Sequence, residues 1–556
     1  MAQHLARFAA ILATATEPLT MVKRASSEEL KPISVPASGS WQGYDGEWST
    51  FHVQVGSPPQ LLHLLPGTSV QAGNAIWAIA PEGCTVDNPG LWDCAELRGD
   101  VFNMNDSSTW KSSANGSFYN LGLIAENMLG LHANATYGLD TVTLGTDQSG
   151  LPSLPNQLVA GVQSNDFWIG SLGISPLRLN ASSGDVGKTP TLMGALRDPN
   201  DTKIPSTTWA YTAGAAYKDA PVFGSLTLGG YDANRFDPNT SVSVPFSINP
   251  SADLQVNLQS ITYDTEGSSP LLTQTITPYV NSMITYIWMP IEVCQAFEAA
   301  FGLEWDNATE LYLLNETTHD RLQRQNPTFS FTLGGSVETG ETAEIRIPYD
   351  AFDLNVTYPH VNGSRWYFPL KRAQYGSQYT LGRVFLQEAY VIADYDRRNF
   401  TVAQALFPTD STPELVTILP PGESDNRSSS LSGGAIAGTV IGVLAGVAVV
   451  VAGLAFWFWR RRRQQQSTPP PPATTGVEEV DGAQNQIHEK LGAPVARVED
   501  STLPYKPDKP PETGTYSPSE LPSETTLDRE FSWPSELPAE MPPVQELASD
   551  ERRVKR

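Results

Sequence analysis

From Gly433 to Trp459 the chain reads GGAIAGTVIGVLAGVAVVVAGLAFWFW, without one charged residue. Coiled as a helix, such a run is long enough to cross the roughly 30 Å hydrocarbon layer of a bilayer. Arg460 to Arg463 follow at once, and Trp457 and Trp459 stand at the boundary. Basic residues favour the cytosolic flank and aromatic residues the interface. The pattern therefore predicts a single-pass span, 433–459, with the preceding residues outside and the following ones in the cytosol, at the plasma membrane or another secretory-pathway membrane. A buried core helix of a soluble protein is the competing reading, but such helices are usually shorter and lack the Arg block. Gly434, Gly438, Gly442 and Gly446 share one helical face, where a second helix could approach closely and self-associate. Small residues that simply tolerate lipid give the same pattern.

Asn-x-Ser/Thr acceptors check this topology independently, because they are modified only in the secretory lumen. They begin at Asn105, Asn115, Asn134, Asn180, Asn200, Asn239, Asn307, Asn315, Asn355, Asn362, Asn399 and Asn426. All precede the predicted span, as expected of a glycoprotein ectodomain. The opening MAQHLARFAAILATATEP has the basic residue, short apolar stretch and small residues of a signal peptide. Lys23-Arg24 fits either a dibasic site releasing a pro-segment or a solvated charge pair. Residues 1–40 are thus expected to be signal peptide, pro-segment and linker.

Residues 411–432, rich in Pro, Ser, Thr and Gly, read as a stalk. Residues 460–556 are dominated by Pro, Glu, Ser and Thr and hold too few aliphatic side chains to bury a core, so a disordered cytosolic tail is expected. Pro469 to Pro472 favour polyproline II and could dock a cytosolic partner, although a plain spacer has the same composition.

The formal charge of -25 argues against a nucleic-acid partner, since phosphate binding needs clustered Lys and Arg. Seven His without HExxH spacing and three Cys predict no bound metal, and nothing in the sequence asks for a cofactor. A GxSxG elbow is also missing.

Between Trp41 and Pro408 short alternating runs such as Ser225 to Gly229 are separated by turn residues, an all-β pattern. FHVQVGSPPQ, from Phe51, resembles the opening of pepsin-like aspartic proteases, whose first lobe starts with a strand, a Gly-[Ser/Thr]-Pro-x-Gln turn and another strand. Thr136 to Gly145, Phe167 to Pro176, Gly224 to Phe236 and Tyr379 to Gln404 resemble further blocks of that family in the same order. The resemblance implies a bilobal pepsin-like aspartic protease fold, with a first lobe over 41–220 and a second over 221–410. It also implies a disulfide between Cys84 and Cys94, favoured in an oxidising lumen, and leaves Cys294 as a buried thiol.

In that family each lobe contributes one Asp from an Asp-[Thr/Ser]-Gly loop. Two close carboxyl groups cannot both ionise easily, so one acts as base and the other as acid on the attacking water. The first loop here falls at LLPGTSV, which places Pro66 at the Asp position, and no Asp occurs from Gly46 to Val86. The second falls at PYVNSMITYIWMP, which places Asn281 there, with Met283 in place of the family's Gly. An amide cannot serve as general base. Asp264-Thr265-Glu266-Gly267 superficially looks like the loop, but its inserted Glu breaks the spacing and it reads as a strand entering a turn. Tyr119 is the candidate flap tyrosine. These readings suggest a pseudoprotease that acts as a surface receptor or scaffold, holding extended peptide in its cleft. An active aspartic-type endopeptidase with an atypical site and a glycosylated structural surface protein remain the alternatives.

Overall fold

Period-two alternation decides most of the local structure. In the strand Thr342–Pro348, Ala343, Ile345 and Ile347 are buried while Glu344 and Arg346 face solvent. Thr208–Ala215 is buried at every position, because its sheet is covered on both faces. The computed structural model describes residues 30–423 except 71–74, 86–88, 114–117, 122, 178–188, 265–269, 336–339 and 410–411. These belong to one compact unit, Met1–Ser430. A second unit, Leu431–Arg556, lies outside the described residues, and with it the expected span, its four glycines and the tail. The expected signal peptide also lies outside them, and no helix among the described residues is long and apolar enough to cross a membrane.

The fold is mostly β. A nine-stranded sheet forms the first lobe, built around Trp48–Val55, Gln60–Gly67, Ile76–Ile79, Asn134–Leu144 and Ser153–Val162. The second lobe carries a three-stranded sheet and two four-stranded sheets between Asn257 and Leu381. A six-stranded sheet joins the lobes, ordered Ile33–Val35, Val222–Leu228, Thr208–Ala215, Ala389–Asp394, Asn399–Gln404, Val242–Pro245. The lobe boundary expected at 220/221 falls in the turn of a hairpin within this shared sheet. Trp48, Trp77, Trp209, Tyr211, Phe51 and Phe297 are among the fully buried side chains that fill the interior.

Two segments expected outside the fold are part of it. Residues 33–35 and 37–40, read from sequence as linker, are strand: Ile33–Val35 pairs with Val222–Leu228, and Ala37–Gln42 pairs with Trp48–Val55. In the expected stalk, Leu415–Thr417 pairs with Gly230–Asp232, and Arg397 Nη2 donates to Leu419 O at 2.8 Å. Both segments cover sheet edges that would otherwise present unpaired backbone groups. Gly230 permits the second pairing, since a Cβ there would stand 2.1 Å from Val416 O.

Cys84 and Cys94 form the disulfide, with Cα atoms 5.6 Å apart, and Cys294 is buried and free. Arg98 is fully buried, without a carboxylate partner among the described residues. Its guanidinium donates instead to the carbonyls of Gly83, Ser164, Phe167 and Trp168 and stacks 5.0 Å over the Trp168 ring. One charged side chain thereby fixes the segment 164–168, which walls the cleft. Of the glycosylation candidates, Asn105, Asn134, Asn200, Asn239, Asn307, Asn315, Asn355 and Asn362 are exposed and Asn399 is half-buried. Asn115, Asn180 and Asn426 fall outside the described residues.

Glu388 gives the fold a pH signature. It is buried, accepts hydrogen bonds from Tyr217 and from Gln404 Nε2 at 2.7 Å, and has Lys218 Nζ at 3.6 Å. Burial nevertheless pushes its carboxyl up to about 8, because the partly exposed ammonium is screened while the carboxyl is not. A folded-state value above the unfolded one gives stability that is full below about pH 4.5 and lost as pH rises through about 8. In urea unfolding of the full-length protein, the wild type should lose on the order of a few kcal/mol more between pH 5 and pH 8 than Glu388→Gln. Equal losses would remove Glu388 as the cause.

Candidate functional site

Two loops, one per lobe, meet where the lobes join. The strand Gln60–Gly67 runs into Thr68, and Tyr279–Val280 runs into Asn281 and Ser282. The hydroxyl residues grip each other across the junction: Thr68 N donates to Ser282 Oγ at 3.1 Å, and Ser282 N donates to Thr68 Oγ1 at 3.0 Å. The two hydroxyl oxygens lie 3.1 Å apart, and Ser282 Oγ donates to Pro66 O at 2.5 Å. All of these groups are buried, where a satisfied network is rigid and a broken one is costly.

This pairing corrects the first-lobe assignment by one residue. Thr68 and Ser282 are equivalent by their reciprocal bonds, so the residues before them, Gly67 and Asn281, occupy the matching positions. Strand register agrees. Pro66 is the parallel partner of Leu172 and Val280 that of Leu381, and each of these Leu residues precedes a Gly. Pro66, expected at the carboxylate position, is instead a strand residue whose carbonyl serves the grip. In the second loop Gly382 is required by close approach, since a Cβ would lie 2.4 Å from Ile284 O and 2.5 Å from Tyr286 O.

At the centre, therefore, stand a residue without a side chain and a residue with an amide. Asn281 Oδ1 accepts from Met283 N at 2.9 Å, and its Nδ2 donates to Glu126 Oε1 at 2.9 Å. Glu126 comes from the first lobe, on the short helix Ala125–Met128 within the hairpin whose strands are Phe118–Asn120 and Asn134–Leu144. It is fully buried, and its Oε2 has no hydrogen-bond partner among the described residues. Gln378 Nε2, from the second lobe, holds the same helix by donating to Met128 O at 2.7 Å. Met283 packs with Leu121, Leu123, Ala133 and Phe167 of the first lobe, so an apolar side chain fills the space that a Gly would leave open. Tyr119 lies on the hairpin strand opposite Ala135, and its side chain is outside the described residues.

Beneath this centre lies a buried ion pair. Arg383 Nη1 donates to Ser282 O at 2.8 Å and its Nη2 to Thr285 Oγ1, while Asp45 Oδ1 stands 3.8 Å from Nη2. Asp45 accepts from Trp48 Nε1 at 2.8 Å and from Thr285 Oγ1 at 2.5 Å, so this carboxylate is committed to structure. Beside it opens a cavity of about 360 Å³, walled by Tyr44, Leu131, Trp168, Met283, Tyr286 and Trp288 among others. Among the described residues no group of three His, Cys, Asp or Glu is placed to hold a metal ion. Asp264, set aside from the sequence, accepts from Thr328 N at 2.9 Å.

Glu126, the packing of Met283 and the cavity's amine, Lys371, were missed in the sequence. A usable signal existed for the register: aligning the two loops with each other, Gly-Thr-Ser on Asn-Ser-Met, sets hydroxyl on hydroxyl. Nothing local marks Glu126, because its importance comes from a partner far along the chain.

The family model for eukaryotic aspartyl protease matches residues 50–405. Secreted aspartic protease 8 of Candida albicans is 25% identical over 189 residues, which covers 34% of this chain and 40% of that protein. The chain thus matches less than half the length of this relative. An aspartic proteinase from Irpex lacteus, solved by crystallography, is 21% identical with a TM-score of 0.47, over 68% of this chain and 98% of that one. With most of its folded part matched from Thr50 to Ala405, the chain belongs to the eukaryotic aspartyl protease family.

Proposed function

We propose that this protein is a non-catalytic member of the family, a membrane-anchored surface protein whose cleft holds extended peptide without cutting it. One observation carries the reading: the two positions equivalent by the Thr68–Ser282 grip hold Gly67 and Asn281, and the amide of Asn281 is bonded to a carboxylate of the hairpin. Paired carboxylates work because they share a proton while polarising one water. A hydrogen atom and an amide can do neither, and the carboxylate of Glu126 is alone. The packing of Met283 against the hairpin further fills the centre.

A second reading draws on Glu126 itself, which brings one acidic group into the centre. It makes the protein a peptidase that uses a lone carboxylate against an amide. Incubating the full-length protein with denatured protein between pH 3 and 6 separates the two. The non-catalytic reading expects no cleavage by the wild type. Cleavage abolished by Glu126→Gln would instead establish the second reading.

Anchoring and glycosylation rest on the sequence and on the exposure of eight acceptor Asn side chains. The full-length protein should stay with membranes under alkaline carbonate extraction, and a chain ended at Ser432 should not. Removal of N-glycans should raise its mobility on gels by several steps. Release of the full-length chain by carbonate would refute the anchor.

A further inference from the structure

Lys371 sits on the strand Leu370–Ala373, in parallel register with Trp288 of Ile287–Pro290, and both side chains line the cavity beside Asn281. The lysine is 6% exposed. Its ammonium faces the rings of Tyr286, Trp288 and Trp305 at 4.9, 5.9 and 5.9 Å. Aromatic faces attract a cation but accept no strong hydrogen bond. The charge of Glu310 acts on this ammonium, and burial outweighs it. Trp288 Nε1 and Arg383 Nε, both in the same cavity lining, are buried without a partner.

All three groups can only donate. Buried donors in a native protein are nearly always satisfied, so two unsatisfied ones on residues that line the same cavity as an ammonium point to an acceptor that enters it. The acids of the lining do not supply it. Asp45 is held by Trp48 and Thr285, Asp166 is exposed, and the exposed Glu310 acts on Lys371 by its charge without forming an ion pair with it. Burial lowers the Lys371 amine to about 8, and an anion beside it would restore a firmly held charge. Leu65, Leu131, Phe167, Ile169 and Met283 supply an apolar wall for whatever carries that anion.

We propose that this cavity is a carboxylate-binding site, in which Lys371 Nζ and Trp288 Nε1 receive the carboxylate of a ligand with an apolar or aromatic body. The free C-terminus of an extended peptide and a small aromatic acid share this chemistry. The inference rests on reading the cleft as a holding site, and it adds the group that is held.

The test is equilibrium binding to the full-length protein at pH 6.5 of an apolar peptide ending in a free carboxylate, of the same peptide amidated, and of phenylacetate. Bound peptide is afterwards weighed by mass spectrometry. The free acid should bind at least about tenfold tighter than the amide, and Lys371→Met should remove that preference. Trp288→Phe, which keeps the ring and deletes the N–H, should weaken the acid several-fold and leave the amide unchanged. Equal binding of acid and amide by the wild type would overturn the carboxylate site while leaving the holding function standing. Binding of phenylacetate but of neither peptide would uphold the site and overturn peptide holding, and hydrolysed peptide would overturn the non-catalytic reading alone. No binding of any of the three would overturn both.

Discussion

The reciprocal hydrogen bonds of Thr68 and Ser282 are the constraint on which the rest depends. They tie one loop of each lobe to the other at the floor of the cleft, in a buried setting where an unmade bond costs about 1–3 kcal/mol. With them in place, the preceding residues face the centre, whatever they are. Here they are Gly67 and Asn281. The loop frame of the family stands here around a glycine and an amide in place of two carboxylates, which is the ground for the non-catalytic proposal.

What occupies the centre follows from that change. An amide has two donors and one acceptor oxygen, and when buried it needs partners for them. Met283 N serves the oxygen, and Glu126 serves the nitrogen from across the cleft. The hairpin that carries Glu126 is held a second time by Gln378, so amide and hairpin stabilise one closed arrangement. The cavity that remains open lies to one side, where Lys371 and Trp288 stand.

Much of this was legible in the sequence, and the exceptions have physical causes. The β character is carried by alternation and turn residues, the family by blocks in fixed order, and the Cys84–Cys94 bridge by the resemblance to that family. The register of the first loop was not carried by a local pattern, because the Asp that would mark it is missing and Pro66, Gly67 and Thr68 offer no other local anchor. What fixes it is long-range: the hydrogen bonds to Ser282, more than two hundred residues away, the parallel register with Leu172, and the match of hydroxyl on hydroxyl between the two loops. The strands at 33–35, 37–40 and 415–417 were hidden for a related reason: edge pairing is decided by the partner strand, and their own composition reads as linker. Glu126 and Lys371 acquire meaning only through long-range contacts, which no local window contains.

An amide–carboxylate contact stands where the family keeps two carboxylates, and a double-mutant cycle of Asn281→Ala and Glu126→Ala measures that contact directly. If Asn281 and Glu126 meet as described, unfolding free energies of the single and double variants should show a coupling of about 1–3 kcal/mol. Additivity to within about 0.5 kcal/mol would mean that the two side chains do not interact, and the closed, carboxylate-poor centre described here would be wrong.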